Sequence, residues 1–169
     1  MSLRLSRLFV LGLLLAGATS CNTVNLATDL EITEVQSGWF DAGIDKDTGW
    51  NHLVPSISFR LKNKSSRSIV GVQLTVSIWL DGDDGEKASK VVRGIGGEGL
   101  APGAETEPIV VRTEWGYNLE GPRASLFENS GFRDGTAKIF GQRAGRIVRL
   151  GEYKLERKVI YASQGTHHP

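Results

Sequence analysis

Cys21 is the only cysteine in the chain, and a lone thiol near the start of a protein can carry one covalent modification but no disulfide partner within a monomer. Other residues capable of chemistry are few. His52 is the only histidine outside the pair His167-His168, and Asp41, Asp45 and Asp47 are the carboxylates close enough in sequence to pair with it. No activated nucleophile accompanies it, and there is no G-x-S-x-G elbow. Zinc needs three or four ligands, which this composition can hardly assemble, and His167-His168 on a frayed tail make a poor metal site. Asp81, Asp83, Asp84 and Glu86 open like a calcium loop, but Glu86 stands where that loop needs glycine and Val92 where it needs glutamate. Gly94-Ile95-Gly96-Gly97-Glu98-Gly99 matches a dinucleotide-binding spacing. Leu100-Ala101-Pro102-Gly103 follows, and that segment does not open the helix whose N-terminus would hold a pyrophosphate. These glycines read as a crossing loop. Neither a catalytic group, a metal nor a cofactor is expected.

Aromatic residues are the more suggestive set. Trp39-Phe40, Trp50 and Trp115-Gly116-Tyr117 place five large rings in glycine-bearing segments between apolar runs. Large rings with few rotors anchor binding surfaces well. The same rings, folded back, plug the open end of a β-sandwich. Both readings stand on the residues alone.

The N-terminus reads as an export signal. Arg4 and Arg7 precede an apolar run from Leu8 to Leu15, and Ala16-Gly17-Ala18-Thr19-Ser20 lead into Cys21. A positive start, a short apolar core and small residues before a cut mark a secretory signal. The run is well below the roughly twenty residues needed to span a bilayer. Small residues ending on a lone cysteine resemble the lipobox of bacterial lipoproteins, with Ala18 where leucine is commonest. The resemblance implies cleavage before Cys21, lipidation of Cys21 and attachment to a membrane of the cell envelope. Asn22, rather than aspartate, follows the cysteine, which by the same resemblance implies the periplasmic face of the outer membrane.

Removing residues 1–20 leaves 18 basic and 19 acidic side chains, a net charge of −1. That balance gives no case for nucleic acid. An apolar content of 40% is enough for one packed core. Charge is uneven along the chain: Arg133 to Lys158 holds eight basic and three acidic residues, and residues 21–132 hold ten and sixteen. The basic stretch reads either as a face for lipid phosphates or an acidic partner, or as exposed strands kept soluble by charge.

Residues 21–28 read as a short tether, 29–161 as the folded domain and 162–169 as a flexible tail. Within the domain the apolar period is two. Ile57, Phe59 and Leu61 alternate with polar residues, as do Val70, Val72, Leu74, Val76, Ile78 and Leu80, the pattern of half-buried antiparallel strands. Asn63 to Arg67 and Asp81 to Gly85 supply turns. Further strands are expected at Leu30–Val35, Lys90–Ile95, Pro108–Thr113, Thr136–Gln142 and Ile147–Ile160, the last with a bulge at Gly151-Glu152. One short helix is expected from Pro122 to Asn129. Seven strands without helical crossovers make an all-β, immunoglobulin-like antiparallel β-sandwich.

The stretch from Ile57 to Arg112 resembles the FxLYD-type, immunoglobulin-like domains of bacterial lipoproteins. Leu61-Lys62-Asn63-Lys64-Ser65, Ile78-Trp79-Leu80-Asp81 and Gly99-Leu100-Ala101-Pro102-Gly103 carry the likeness, with Trp79 in the usual tyrosine region. It implies a fold and an envelope setting, and no reaction. Two functions follow as expectations. The first is a non-enzymatic lipoprotein that offers its sandwich to an envelope protein. The alternative is an accessory protein that binds a small ligand or lipid through the aromatic loops.

Overall fold

A computed structural model describes residues 24–161. The signal, Cys21 and the tail from residue 162 lie outside the described residues. The elements run α1 (Leu26–Asp29), β1 (Leu30–Ile44), β2 (Asn51–Asn63), β3 (Val72–Leu80), β4 (Glu86–Ile95), β5 (Ile109–Arg112), β6 (Tyr117–Leu119), a 3-10 turn (Arg123–Glu128), β7 (Gly135–Arg143), β8 (Arg146–Lys154) and β9 (Val159–Ile160). One sheet has the order β5-β2-β1-β9, with β6 also on β2, and the other has the order β4-β3-β7-β8. Neighbours are antiparallel except β1 and β9, which run parallel through Trp39 opposite Val159 and Phe40 opposite Ile160. The fold is an immunoglobulin-like β-sandwich. Among the described residues no helix is long and apolar enough to cross a membrane.

Strand β3 follows its alternation. Val72, Leu74, Val76, Ile78 and Leu80 are buried and meet Leu53, Ile57, Phe59 and Leu61 from β2 in one core. Val70 departs from the pattern: it is 40% exposed because the strand begins two residues later, after Gly71 at φ +65°. The outer face of β3 is not uniformly wet. Ser77 is buried, and the Lys138 ammonium lies 3.9 Å over the Trp79 ring beside it.

Nine strands form where seven were expected, and each difference has a local cause. β1 continues past Val35 to Ile44 because its register shifts between Thr33 and Gln36, where Glu34 takes φ 51°. That bulge changes which residues face inward, so the period of two stops being visible there. β2 begins at Asn51 and holds Pro55 in its middle. The Pro55 carbonyl accepts from Thr113 N–H, so the missing proline N–H falls in the gap between β5 and β6, which pair with residues 56–59 and 51–53 of β2. An interrupted ladder is where a central strand tolerates proline. The final run divides into β8 and β9 because, after Leu155 N–H makes a last bond to β7 at the Gly135 carbonyl, Glu156 N–H donates to Ser37 Oγ of β1 and the Lys158 carbonyl accepts from Trp39 N–H, which takes the chain to the other sheet. The extra residue of the β8 bulge is Leu150, between partners Arg149 and Gly151, one step before the expected position.

The helices also differ from expectation. Pro122 is the N-cap of a 3-10 turn, not of an α-helix, and Leu126 is its buried anchor. Residues 26–28, read as part of a tether, form with Asp29 a helical turn capped by Asn25 Oδ1 on Ala27 N–H at 3.2 Å. Leu26 is buried and reaches the sheet over Gly141, where an added Cβ would lie 3.3 Å from Leu26 Cδ1 and 2.9 Å from Leu150 Cδ1. The folded domain therefore starts earlier than residue 29.

On this packing, Leu74→Ala or Val76→Ala will destabilise the fold by about 2–4 kcal/mol through lost core volume. Thr75→Ala, on the outer face, will cost less than about 1 kcal/mol. Chemical denaturation of the three variants measures the contrast, and equal costs on the two faces would contradict it.

Candidate functional site

Of the five aromatic candidates, the structure unites three and separates two. Trp39 lies within β1 and is fully buried, not on a loop. Its ring packs at 5.3 Å between centroids on both Tyr117, at the start of β6, and Phe132, in the approach to β7. Trp115 adds to the stack at 5.2 Å from Tyr117, and Phe127 closes it edge-on to Phe132 at 5.3 Å. Tilted and edge-to-face contacts of this kind hold the rings together beyond their burial. Phe127 and Phe132 are the members missing from the five sequence candidates; Phe132 ties Phe127 to Trp39. The one signal for Phe132 was its place between the 3-10 turn and β7.

Phe40 follows Trp39 but points to the opposite face, as successive strand residues must. There the Arg112 guanidinium stacks on it at 3.5 Å. Trp50 stands apart at the β1–β2 tip, 43% exposed, with Ile44 nearby at 65%.

Ion pairs fasten the aromatic cluster from outside. Arg157 grips Asp134 with two bonds of 2.8 and 2.6 Å and lies 5.5 Å over the Phe132 ring. Arg133 pairs with Asp83, while its backbone N–H donates to the Tyr117 hydroxyl at 3.2 Å. Lys87 approaches the same Asp83 to 3.9 Å as an ion pair and caps Trp115 at 5.3 Å. Asp83 is thus engaged by two cations, a poor arrangement for a calcium ligand. Arg123 reaches Asp41 at 2.5 Å. The Arg157 hydrogen bond holds the Asp134 carboxyl below its ordinary value. For Asp41, burial pushes upward, but the hydrogen bonds from Arg123 and Gly43 and the Arg123 charge outweigh it, so its value is also lowered.

His52 pairs with none of the nearby aspartates. Its Nδ1 is 2.6 Å from Asn118 Oδ1 and its Nε2 3.4 Å from the Glu114 carbonyl. Asp45 instead organises the tip: its carboxylate accepts from Thr48 N–H and Thr48 Oγ1 at 2.9 Å and from Asp47 N–H at 3.1 Å. The Thr48 amide is the main cause of its lowered pKa. Backbone bonds from Gly49 to Asp45 and from Asp45 to Trp50 complete the turn. Trp50 is therefore presented on a rigid mount. Gly94 lies within β4, which ends at Ile95, and the other glycines of the dinucleotide-like run lead to Leu100, which bridges to Ile69, so no helix follows them.

Filled with rings and rimmed by ion pairs, the cluster at Trp39 plugs the sandwich end, whereas the tip at Trp50 is an exposed apolar surface. No described protein family matches the chain, and no curated protein is significantly similar to it.

Trp39→Ala will destabilise the fold by about 3–5 kcal/mol. Trp50→Ala will shift stability by less than about 1 kcal/mol, since its ring makes little of the core. Thermal melts of the two variants check this. Asp134 has a folded pKa below its unfolded value of about 3.9, so its contribution is present above that pH and is lost as pH falls through the folded value. Asp134→Asn will accordingly lower the melting temperature slightly near neutral pH, since solvent screens this half-exposed pair. The difference from wild type will vanish in strong acid.

Proposed function

We propose that this chain is an exported, non-enzymatic lipoprotein, held by acylated Cys21 on the periplasmic face of the outer membrane, whose sandwich docks another envelope protein. The docking surface in this reading is the β1–β2 tip, with Trp50 and Ile44 as its anchors. One observation supports it above others: the two ends of β1 differ in character. At Leu30 the strand adjoins α1 and Val24, the side from which Cys21 must arrive. At Ile44, a strand length of roughly 45 Å away, a turn ordered by Asp45 exposes two large apolar side chains. A rigid exposed tryptophan is the kind of anchor that dominates protein interfaces.

The resemblance to FxLYD-type domains lends the envelope setting further support. Two of its segments meet in space at Asn63, whose side chain bonds the Leu100 carbonyl at 2.7 Å. The ligand-binding alternative required a pocket among Trp39, Trp50 and Trp115; Trp39 is instead packed against Tyr117 and Phe132, and Trp50 is remote from that stack.

Three measurements test the proposal. Mass spectrometry of the mature protein will find an acylated Cys21 at its N-terminus, and Cys21→Ser will leave an unprocessed or soluble form; a free thiol at Cys21 would end the anchoring reading. Fractionation will place the protein in the outer membrane. A photoreactive residue at position 50 will capture a discrete protein partner in living cells, whereas one at position 75 will not. Capture from both positions alike would remove the tip as the docking surface.

A further inference from the structure

The distribution of cations points to a second surface, at the end of the sandwich opposite Trp50. Arg133 to Lys158 holds eight basic side chains, and most are occupied. Arg133, Arg149, Arg157 and Lys158 each pair with a carboxylate, and Lys138 covers Trp79. Arg143 and Arg146, which flank the β7–β8 turn, have no carboxylate partner among the described residues. Arg143 is held by one bond from its Nε to the Val70 carbonyl at 3.0 Å, leaving its terminal nitrogens available. Asp29, the acid of α1, is turned back onto Asn25 N–H at 2.9 Å and Thr28 Oγ1 at 3.1 Å.

The two arginines are mounted on a stiff turn. Ala144 at φ 47° and Gly145 at φ 77° are the two left-handed residues of a tight hairpin. Beneath them lies a cleft of about 630 Å³ with Val24, Leu26 and Val148 along it and Arg143 and Arg146 at its rim. Ile147, beside Arg146, is 64% exposed.

Chain length says what faces this cleft. Val24 packs against the core, and Cys21 is three residues before it. Those three residues reach at most roughly 11 Å. A lipid on Cys21 therefore keeps the Val24 end of the sandwich within that distance of the bilayer surface, with the β7–β8 turn beside it. Cationic side chains at an anionic membrane surface gain on the order of 1 kcal/mol each, about fivefold in affinity.

We propose that the β7–β8 turn is a phospholipid-headgroup site, in which Arg143 and Arg146 pair with lipid phosphates while Ile147 enters the interface. This rests on acylation of Cys21. It goes further in assigning the membrane a specific, charged contact with the folded domain, which fixes how the sandwich stands on the bilayer.

The test uses the natively lipidated protein, reconstituted into vesicles of phosphatidylcholine or of phosphatidylcholine mixed with phosphatidylglycerol. Hydrogen exchange is followed in the segment from Gly141 to Val148, with β3 as the internal reference for folding. The segment will exchange several-fold more slowly on the anionic vesicles than on the neutral ones. Arg143→Gln and Arg146→Gln will each remove much of that slowing with β3 unchanged, and added salt will weaken it. Equal exchange on both vesicles would overturn the site. So would the same slowing by inorganic phosphate in detergent solution, which would make it an anion site without a lipid role. The mass of the N-terminal peptide, read on the same sample, separates the two ideas. Acylated Cys21 with an unprotected turn defeats the headgroup site alone, and unmodified Cys21 defeats both.

Discussion

Asn63 is a fully buried amide at the end of β2, and the closure of that end of the sandwich depends on it. Its Nδ2 donates to the carbonyls of Arg67 and Leu100, each at 2.7 Å. Its Oδ1 accepts from Ser65 N–H at 2.9 Å and from Ser65 Oγ at 2.7 Å. Both donors and both acceptor positions of the amide are thus used. Its backbone bonds Ala104 and Gly103, so one residue joins the end of β2, the turn after it and the segment that leads into β5. A buried polar group is costly unless satisfied, at about 1–3 kcal/mol for each orphaned partner. Satisfied in full, it fixes a single arrangement of three chain segments. Leu61 to Ser65 thus supplies the amide and the turn it caps, and Gly99 to Gly103 supplies the carbonyl it needs.

The opposite end is closed by a different means. There the chain uses ring area instead of polar bonds, with Trp39, Trp115, Tyr117, Phe127 and Phe132 stacked in tilted contacts. Ion pairs at Arg157–Asp134, Arg123–Asp41 and Arg133–Asp83 tie down the segments that carry those rings. A domain without an internal disulfide must hold both ends by non-covalent contacts. Three of the ring-bearing segments are irregular or nearly so, and aromatic side chains give such segments enough apolar area to order them.

How far the sequence revealed this depended on whether one face at a time was buried. β3 could be read in nearly full length, because polar and apolar residues alternate along it. β2 could be read only from Ile57 onward, since Leu53 to Ile57 is buried without a break and carries a proline. β1 was lost at its bulge, which hid that Trp39 and Phe40 are strand residues on opposite faces. The aromatic candidates could therefore be picked out as large rings but not sorted into core and surface. Nothing local distinguishes Trp39 from Trp50, each preceded by glycine; only the tertiary position of the β1–β2 hairpin makes one the centre of the core and the other a surface residue. Cation placement had the same limit. The net excess after Arg133 was visible, but which arginines are left without acids depended on contacts with Asp83 and Asp134, the former fifty residues before its partner.

These two closures give the long hairpin of β1 and β2 its directional character. Asn63 and Leu30 are paired at one end, and Ile44 and Asn51 are paired at the other, so the hairpin is a continuous strut along the domain. Its backbone ladder resists bending, and β5, β6 and β9 brace it on both sides. Attachment by a few residues beside Leu30 would consequently do more than tether the domain. A long flexible linker would let every face explore its surroundings, whereas a link of three residues from a packed Val24 would restrict the strut to a narrow set of tilts. Contacts at the β7–β8 turn would narrow that set again, because a second point of support removes rocking about the first. Under such restraint the tip bearing Trp50 would project away from the bilayer on a scaffold whose stiffness is set by hydrogen bonds and core packing. A partner meeting it would lose little orientational freedom in the anchored protein on binding, which is how preorganisation raises affinity without adding contacts.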